Sequence, residues 1–267
     1  MYKKMIKLAG AIILFSVILS CGSSSSNSFK VGVQNGPEYK LAQAAQKVAK
    51  EKYNLDVELV SFTDYIMPNE ALNQKDIDVN VFQTRPYLDE QSKNRGYQLT
   101  VLGNTFIYPM AGYSKKIKDI KDLKKDDIIV IPNDPTNLGR ALLLLQKVGI
   151  LKLKSDVGLL PTQQDIVENP IGIQILELEA PQIPRTLDDN KVVIAIINNN
   201  FAASNNLIAS RDGIFVEDKE SDYVNIIVSR VDNKDDKRVQ DFLKAYQSDE
   251  VAKAAEEEFK GSAIKGW

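Results

Sequence analysis

The chain contains no histidine. Without an imidazole it has neither a Ser-His-Asp nor a Cys-His nucleophile system, and no zinc site built on histidine ligands. Cysteine occurs once, at position 21, so no disulfide can form within the chain. Neither GxGxxG nor GxxxxGK[ST] is present, and the two glycines of VGVQNGP have the wrong spacing, so the usual nucleotide cradles are missing and no cofactor is expected. No basic stripe with interleaved aromatics suggests a nucleic-acid partner. Beyond residue 21 no apolar run is long enough to span a bilayer. Carboxylate pairs such as Asp76/Asp78 and Asp188/Asp189 exist, but each lies beside polar turn residues and reads as a solvated turn. Nothing positions them as the acid and base of a hydrolase, and no enzyme activity is expected.

What is present begins with the N-terminus. Lys3, Lys4 and Lys7 precede the apolar run LAGAIILFSVILS, and Cys21 follows it. A basic segment, a short apolar segment and a small residue form a secretory signal over residues 1–20. The run is too short for an ordinary membrane span. Behind Cys21 comes GSSSSNS, so 21–28 reads as a flexible tether. Removal of the leader takes the formal charge from −2 to −5. The remaining length suffices for one large domain or two smaller ones.

From Phe29 the pattern alternates. FKVGV is a strand, NGP a turn, and 38–53 a helix with Leu41, Ala45, Val48 and Ala49 on one face. LDVELV, IDVNVF and YQLTVLG read as extended, separated by helical stretches at 64–73 and 86–95. This predicts an α/β lobe with a mainly parallel sheet. A second run starts near 127 with strand DIIVI, a leucine-rich helix, strand GIQILEL, a helix over 182–190 and strand KVVIAII. Between the runs lies TFIYPMAGYSKKIKDIKDLKKDD, an extended segment meeting a charged helix. YVNIIVSR is a further extended stretch, followed by helices near 234–247 and 249–259. The economical arrangement is two α/β lobes joined by two extended crossovers, with the chain ending back on the first lobe: 29–110 plus 227–267 for one, 111–226 for the other.

The leucine-rich helix poses a chemical question. In NDPTNLGRALLLLQKVG, Asp134 or Thr136 can cap and Pro135 suits the first helical position, while Leu138, Leu142 and Leu145 form an apolar face. Arg140 then sits near a helix end that already carries partial positive charge. Either an anion docks there, or Arg140 pairs with a local aspartate on the surface. Other polar and aromatic residues gather at strand ends: Tyr65 in SFTDYIMPNEAL, Phe82, Thr84 and Tyr87 in VNVFQTRPYL, Asn198 in AIINNNFA, and Asn225 inside the apolar run YVNIIVSR, where its side chain needs a partner. Ligands of open α/β sheets sit beyond the carboxyl ends of the strands. An arginine, amides and an apolar slot there suit a zwitterion with an apolar tail. Each aromatic taken alone reads first as a core residue, and Asn198 equally as a turn residue.

Long blocks of this chain, among them VAKEKYNLDVELVSFTDYIMPNEALNQKDIDVNVFQTRPYL, GNTFIYPMAGYSKKIK, PNDPTNLGRALLLLQKVG, ELEAPQIPRTLDD and DGIFVEDKESDYVNIIVSR, closely resemble the NlpA lipoprotein family from about residue 29 to Trp267. ILSC likewise resembles a bacterial lipobox. The resemblance implies a two-lobed type II periplasmic-binding-protein fold with two extended crossovers, and a lipid on Cys21 that anchors the mature chain to a bacterial membrane outside the cytoplasm. It implies L-methionine or a related amino acid in the cleft, and delivery to an ABC permease with its ATPase. Arg140 would hold the ligand carboxylate, Asn198 and Asn225 its amino and carboxyl groups, and Tyr65, Phe82 and Tyr87 its thioether. Relatives usually read FQHKPYL where this chain has FQTRPYL. Thr84 thus stands where a histidine is expected in the pocket, which leaves open a different amino acid or a methionine-containing dipeptide. The rival reading is a surface lipoprotein serving adhesion or antigenic display.

Overall fold

The computed structural model describes residues 28–267. The leader, Cys21 and nearly all of the serine tether lie outside the described residues. Strand β1 (Phe29–Gln34) ends at a Gly-Pro step. Gly36 has φ 96° and caps helix α1 (Pro37–Tyr53) with Pro37 in its first turn. A proline there loses no helical hydrogen bond, and only glycine takes that φ cheaply. The glycine is also needed for space, because a Cβ at Gly36 would lie 2.3 Å from Ser204 Oγ of the opposite lobe. The chain continues through β2 (Val57–Phe62), α2 (Met67–Asn73), β3 (Val79–Thr84), α3 (Arg85–Arg95) and β4 (Leu99–Ile107). It then passes into the second lobe.

There it forms β5 (Ala111–Tyr113), β6 (Ile128–Pro132), α4 (Pro135–Lys147), a two-stranded ribbon of β7 (Lys152–Leu153) and β8 (Ile166–Glu168), then β9 (Gln174–Leu178), β10 (Val192–Ile197), α5 (Asn199–Ser204), α6 (Ala209–Asp212) and β11 (Gly213–Val216). It returns along β12 (Val224–Arg230) and finishes with α7 (Lys237–Tyr246), α8 (Asp249–Phe259) and β13 (Ile264–Lys265). The strand order is β13-β4-β12-β3-β1-β2 in one sheet and β11-β5-β10-β6-β9 in the other. Each sheet has its own apolar core, one centred on Phe29, Leu41, Phe242 and Phe259, the other on Ile129, Leu142, Leu145 and Ile194. The architecture is thus two α/β lobes with a cleft between them. β12 starts at Val224 in the first sheet, a little ahead of the 226/227 boundary expected for the lobes.

Three expectations need correction. The sheets are mixed rather than mainly parallel. β1 pairs parallel with β2 and β3, whereas β12 runs antiparallel to both β3 and β4. The outgoing path β4–β5 and the returning path β11–β12 travel in opposite directions side by side, and their pairing brings the antiparallel strands. The charged helix expected within 105–127 is a single 3-10 turn, Ile120–Asp122, capped by Asp119. The helix expected over 182–190 is a 3-10 segment, Ala180–Asp188. Its interior Pro184 has no N–H to give, which breaks α-helical bonding.

Candidate functional site

Helix α4 opens as its sequence predicts. Asp134 is the cap and accepts from the Asn137 backbone N–H at 2.9 Å, with Pro135 in the first turn. The capping carboxylate also accepts from Asn137 Nδ2, at 2.9 and 3.1 Å. Burial raises the Asp134 pKa, and these charge-assisted bonds offset that effect. Because Asn137 spends its NH2 on Asp134, its Oδ1 must accept, and it does so from Asn198 Nδ2 at 2.8 Å. Asn198, at the end of β10, is thereby turned so that its Oδ1 is buried and unpartnered.

Arg140 is one helical turn beyond Asn137, so both face the cleft. It is 5% exposed, which settles the surface alternative against a solvated pair. Its partner is Glu217, far along the chain and just past β11. Arg140 Nε donates to Glu217 Oε1 at 2.9 Å, and Nη2 donates to the second carboxylate oxygen. Nη2 also donates to the Tyr108 carbonyl at 3.0 Å. The ring of Tyr223 lies 4.5 Å from the guanidinium carbon, a cation–π contact. Nη1 makes none of these bonds.

The first lobe contributes the rest. Asn225, in β12, donates through Nδ2 to the Phe82 carbonyl at 3.1 Å and to Glu38 Oε1 at 3.4 Å, which leaves its Oδ1 free to accept. Phe82 stands 6.0 Å from both Tyr65 and Tyr87, and those two are 6.1 Å apart, so three rings form a triangular wall. Tyr87 fixes Tyr65 by donating to its carbonyl at 2.9 Å. Beneath the wall, Asn69, Asn80 and Gln83 share a closed set of buried amide bonds that pins Gln83. Thr84 ends β3 as the cap residue of α3, but its side chain makes no capping bond.

These groups line one cavity between the lobes. Tyr65, Phe82, Thr84, Tyr87, Arg140, Asn198 and Asn225, singled out from the sequence, all line it. Gln83, Asn199 and Asn200, which share the strand-end clusters of the sequence, line it too without having been assigned to the site, and Glu38, Tyr108 and Asn137 were missed by the sequence reading. Glu38 was accessible to that reading: it precedes Leu41, Ala45 and Val48 on the apolar face of α1. The lobes are closed over the cavity. Tyr65 Oη donates to Asn200 Oδ1 across the cleft at 2.7 Å, and the Tyr65 and Phe201 rings are 5.0 Å apart.

The polar groups left unspent define what fits. Glu38 Oε2, Asn198 Oδ1 and Asn200 Nδ2 are buried without a partner. With Asn225 Oδ1 and Arg140 Nη1, they make three acceptors and two donors. An ammonium brings three donors and a carboxylate brings acceptors only. Buried polar groups otherwise cost stability when left unpaired, so the lining is complementary to an amino-acid zwitterion with an apolar tail against the rings.

The fold is that of the two-lobed periplasmic binding proteins, with the cavity between the lobes. The model of the NlpA lipoprotein family matches residues 29–267, and the chain belongs to that family. It is 58% identical to the D-methionine-binding lipoprotein MetQ of Escherichia coli K12 over 97% of this chain and 96% of the relative. A crystal structure of the methionine-binding protein MetQ is 60% identical and superposes with a TM-score of 0.89, covering 90% of this chain and 98% of that one. A nutrient-binding protein from Burkholderia cenocepacia, solved bound to methionine, is 45% identical with a TM-score of 0.87, covering 90% and 100%.

Proposed function

We propose that this chain is the substrate-binding lipoprotein of an ABC importer, that it captures methionine in the interlobe cleft, and that it has no catalytic role. The observation that carries this reading is the complement of unspent groups: acceptors for an ammonium, donors for a carboxylate, and a ring wall for a thioether. The relatives named for methionine support it. Arg140 Nη1 and Asn200 Nδ2 take the carboxylate, Asn198 and Asn225 take the ammonium, and Tyr65, Phe82 and Tyr87 pack the side chain. Lipid on Cys21 tethers the protein outside the cytoplasm, where it hands its ligand to the permease and the associated ATPase. Cys21→Ser is expected to abolish labelling by a radioactive fatty acid; unchanged labelling would refute the anchor.

Calorimetric titration of ligand-stripped protein tests the cleft. Both enantiomers of methionine, methionine amide and norleucine serve as titrants. Methionine should bind, and the amide should lose at least about ten-fold, since it lacks the anion that the guanidinium faces. Equal affinities for acid and amide would refute the assignment. Thr84, which stands where relatives carry a histidine, sets the tail end. Thr84→His should widen the gap between methionine and norleucine, because a tail misfit is worth only about 1–3 kcal/mol and the smaller threonine discriminates least. An unchanged ranking and spacing would remove Thr84 from the specificity end.

A further inference from the structure

Glu38 is a buried carboxyl group without a cation beside it. It lies in the first turn of α1, 4% exposed, on the wall of the cavity. One oxygen accepts a long bond from Asn225, and the other has no partner. No salt bridge reaches it among the described residues, and Arg140 is the only cationic side chain lining the cavity, already engaged by Glu217. A buried carboxylate without a cation is costly; the same carboxyl carrying a proton is not.

We propose that Glu38 binds the ligand's ammonium group and that capture of the amino acid expels a proton from its carboxyl group to solvent. In the unliganded protein the carboxyl is neutral. On binding, the ligand's intact ammonium supplies the missing cation, the Glu38 O–H bond breaks, the proton leaves to buffer, and the carboxylate pairs with the ammonium. The balance is one zwitterion taken up and up to one proton released. The inference rests on the amino-acid reading of the cleft.

The titratable groups that face Glu38 leave it as the proton source. Tyr65, Tyr108 and Tyr246 feel its charge, and burial raises each of their pKa values, so they stay neutral across the working range. Tyr87, on the ring wall, is raised in the same way. Arg140, from α4, is spent on Glu217, and Asp134 is held by the bonds from Asn137. Burial pushes Glu38 itself from 4.5 up to about 8, so roughly nine-tenths of it is protonated at pH 7.

Calorimetry of methionine binding at pH 7 in phosphate, HEPES and Tris, buffers of different ionisation enthalpy, reads the released proton directly. The observed enthalpy should vary linearly with buffer enthalpy at a slope near 0.9 proton per methionine, and affinity should rise about nine-fold between pH 6 and 7. Glu38→Gln, which keeps the size and neutrality of the protonated group, should bind more weakly, with a slope near zero and a flat pH profile. Methionine binding whose enthalpy is the same in all three buffers would overturn the proton release and leave the amino-acid reading standing. Absence of methionine heat in every buffer would overturn both. A slope that persists unchanged in Glu38→Gln would assign the proton to another group and refute the role of Glu38. If that variant does not fold, the wild-type slope decides the proton release and Glu38→Ala, read in the same three buffers, decides its source.

Discussion

Arg140 works because its neighbours spend most of it. Glu217 and the Tyr108 carbonyl occupy Nε and Nη2, so the guanidinium cannot swing, and a single nitrogen is left for a ligand. Arg140→Ala should therefore do two things. Affinity for methionine should fall at least about ten-fold, because a charge-assisted bond is lost. Stability should fall by about 3 kcal/mol, because Glu217 is left largely buried without its cation. Glu217→Gln should retain the fold but loosen the guanidinium, weakening methionine binding less than Arg140→Ala does. Calorimetry and denaturant melts read both effects; wild-type affinity in Arg140→Ala would remove the arginine from the site. At this scale the sequence was informative about residue types but not about partners. Arg140 stood out as a cation on an apolar helix, whereas Glu217 lies far from it in the chain and only the paired crossovers bring the two together. Asn198 read as site or turn with equal weight until the bonds from Asp134 through Asn137 fixed which of its atoms faces the cleft.

At the scale of elements, α4 carries the site. Its capping signal and leucine spacing were both legible, and its bounds follow them. What the pattern could not give is why a glycine sits inside it. A Cβ at Gly139 would lie 2.5 Å from the Leu159 carbonyl oxygen and 3.0 Å from Leu160 Cα. The helix thus packs directly on the backbone of the 159–161 loop. Gly139→Ala should gain up to about 1 kcal/mol in helix propensity and still destabilise the protein, because backbone on both sides must move. A raised melting temperature for that variant would contradict the close approach. The charged helix expected within 105–127 and the helix expected over 182–190 are both absent as α-helices. Pro184 interrupts the second, whereas the first keeps only one 3-10 turn, although Ile117, Ile120 and Leu123 still pack against the core of the second lobe. The antiparallel strands were invisible for a different reason: a period-2 pattern does not say which neighbour a strand will take.

For the whole molecule, the burial of Glu38 on the wall of the cavity gives a pH signature. Its folded pKa of about 8 exceeds the ordinary 4.5, so the unliganded folded state holds the proton more tightly than the unfolded chain. The stability this confers is complete below about pH 4.5 and is lost as pH rises through about 8. Between pH 5 and 7 the unliganded protein should lose up to about 1.4 kcal/mol per pH unit relative to Glu38→Gln. Parallel stability curves for the two would place the carboxyl in water. The two-lobed plan was legible because the alternation of strands and helices breaks at 105–127 and again near 223, where the crossovers run.

The most direct measurement on the central claim, that the closed cleft holds a zwitterionic amino acid, presumes no ligand. The purified full chain is denatured, and the small molecules released are identified by mass spectrometry. The expected result is methionine, at up to one equivalent, from the wild type and a marked loss of it from Arg140→Ala. Stoichiometric release of a molecule that is not an amino acid or amino-acid derivative from the wild type would contradict the account.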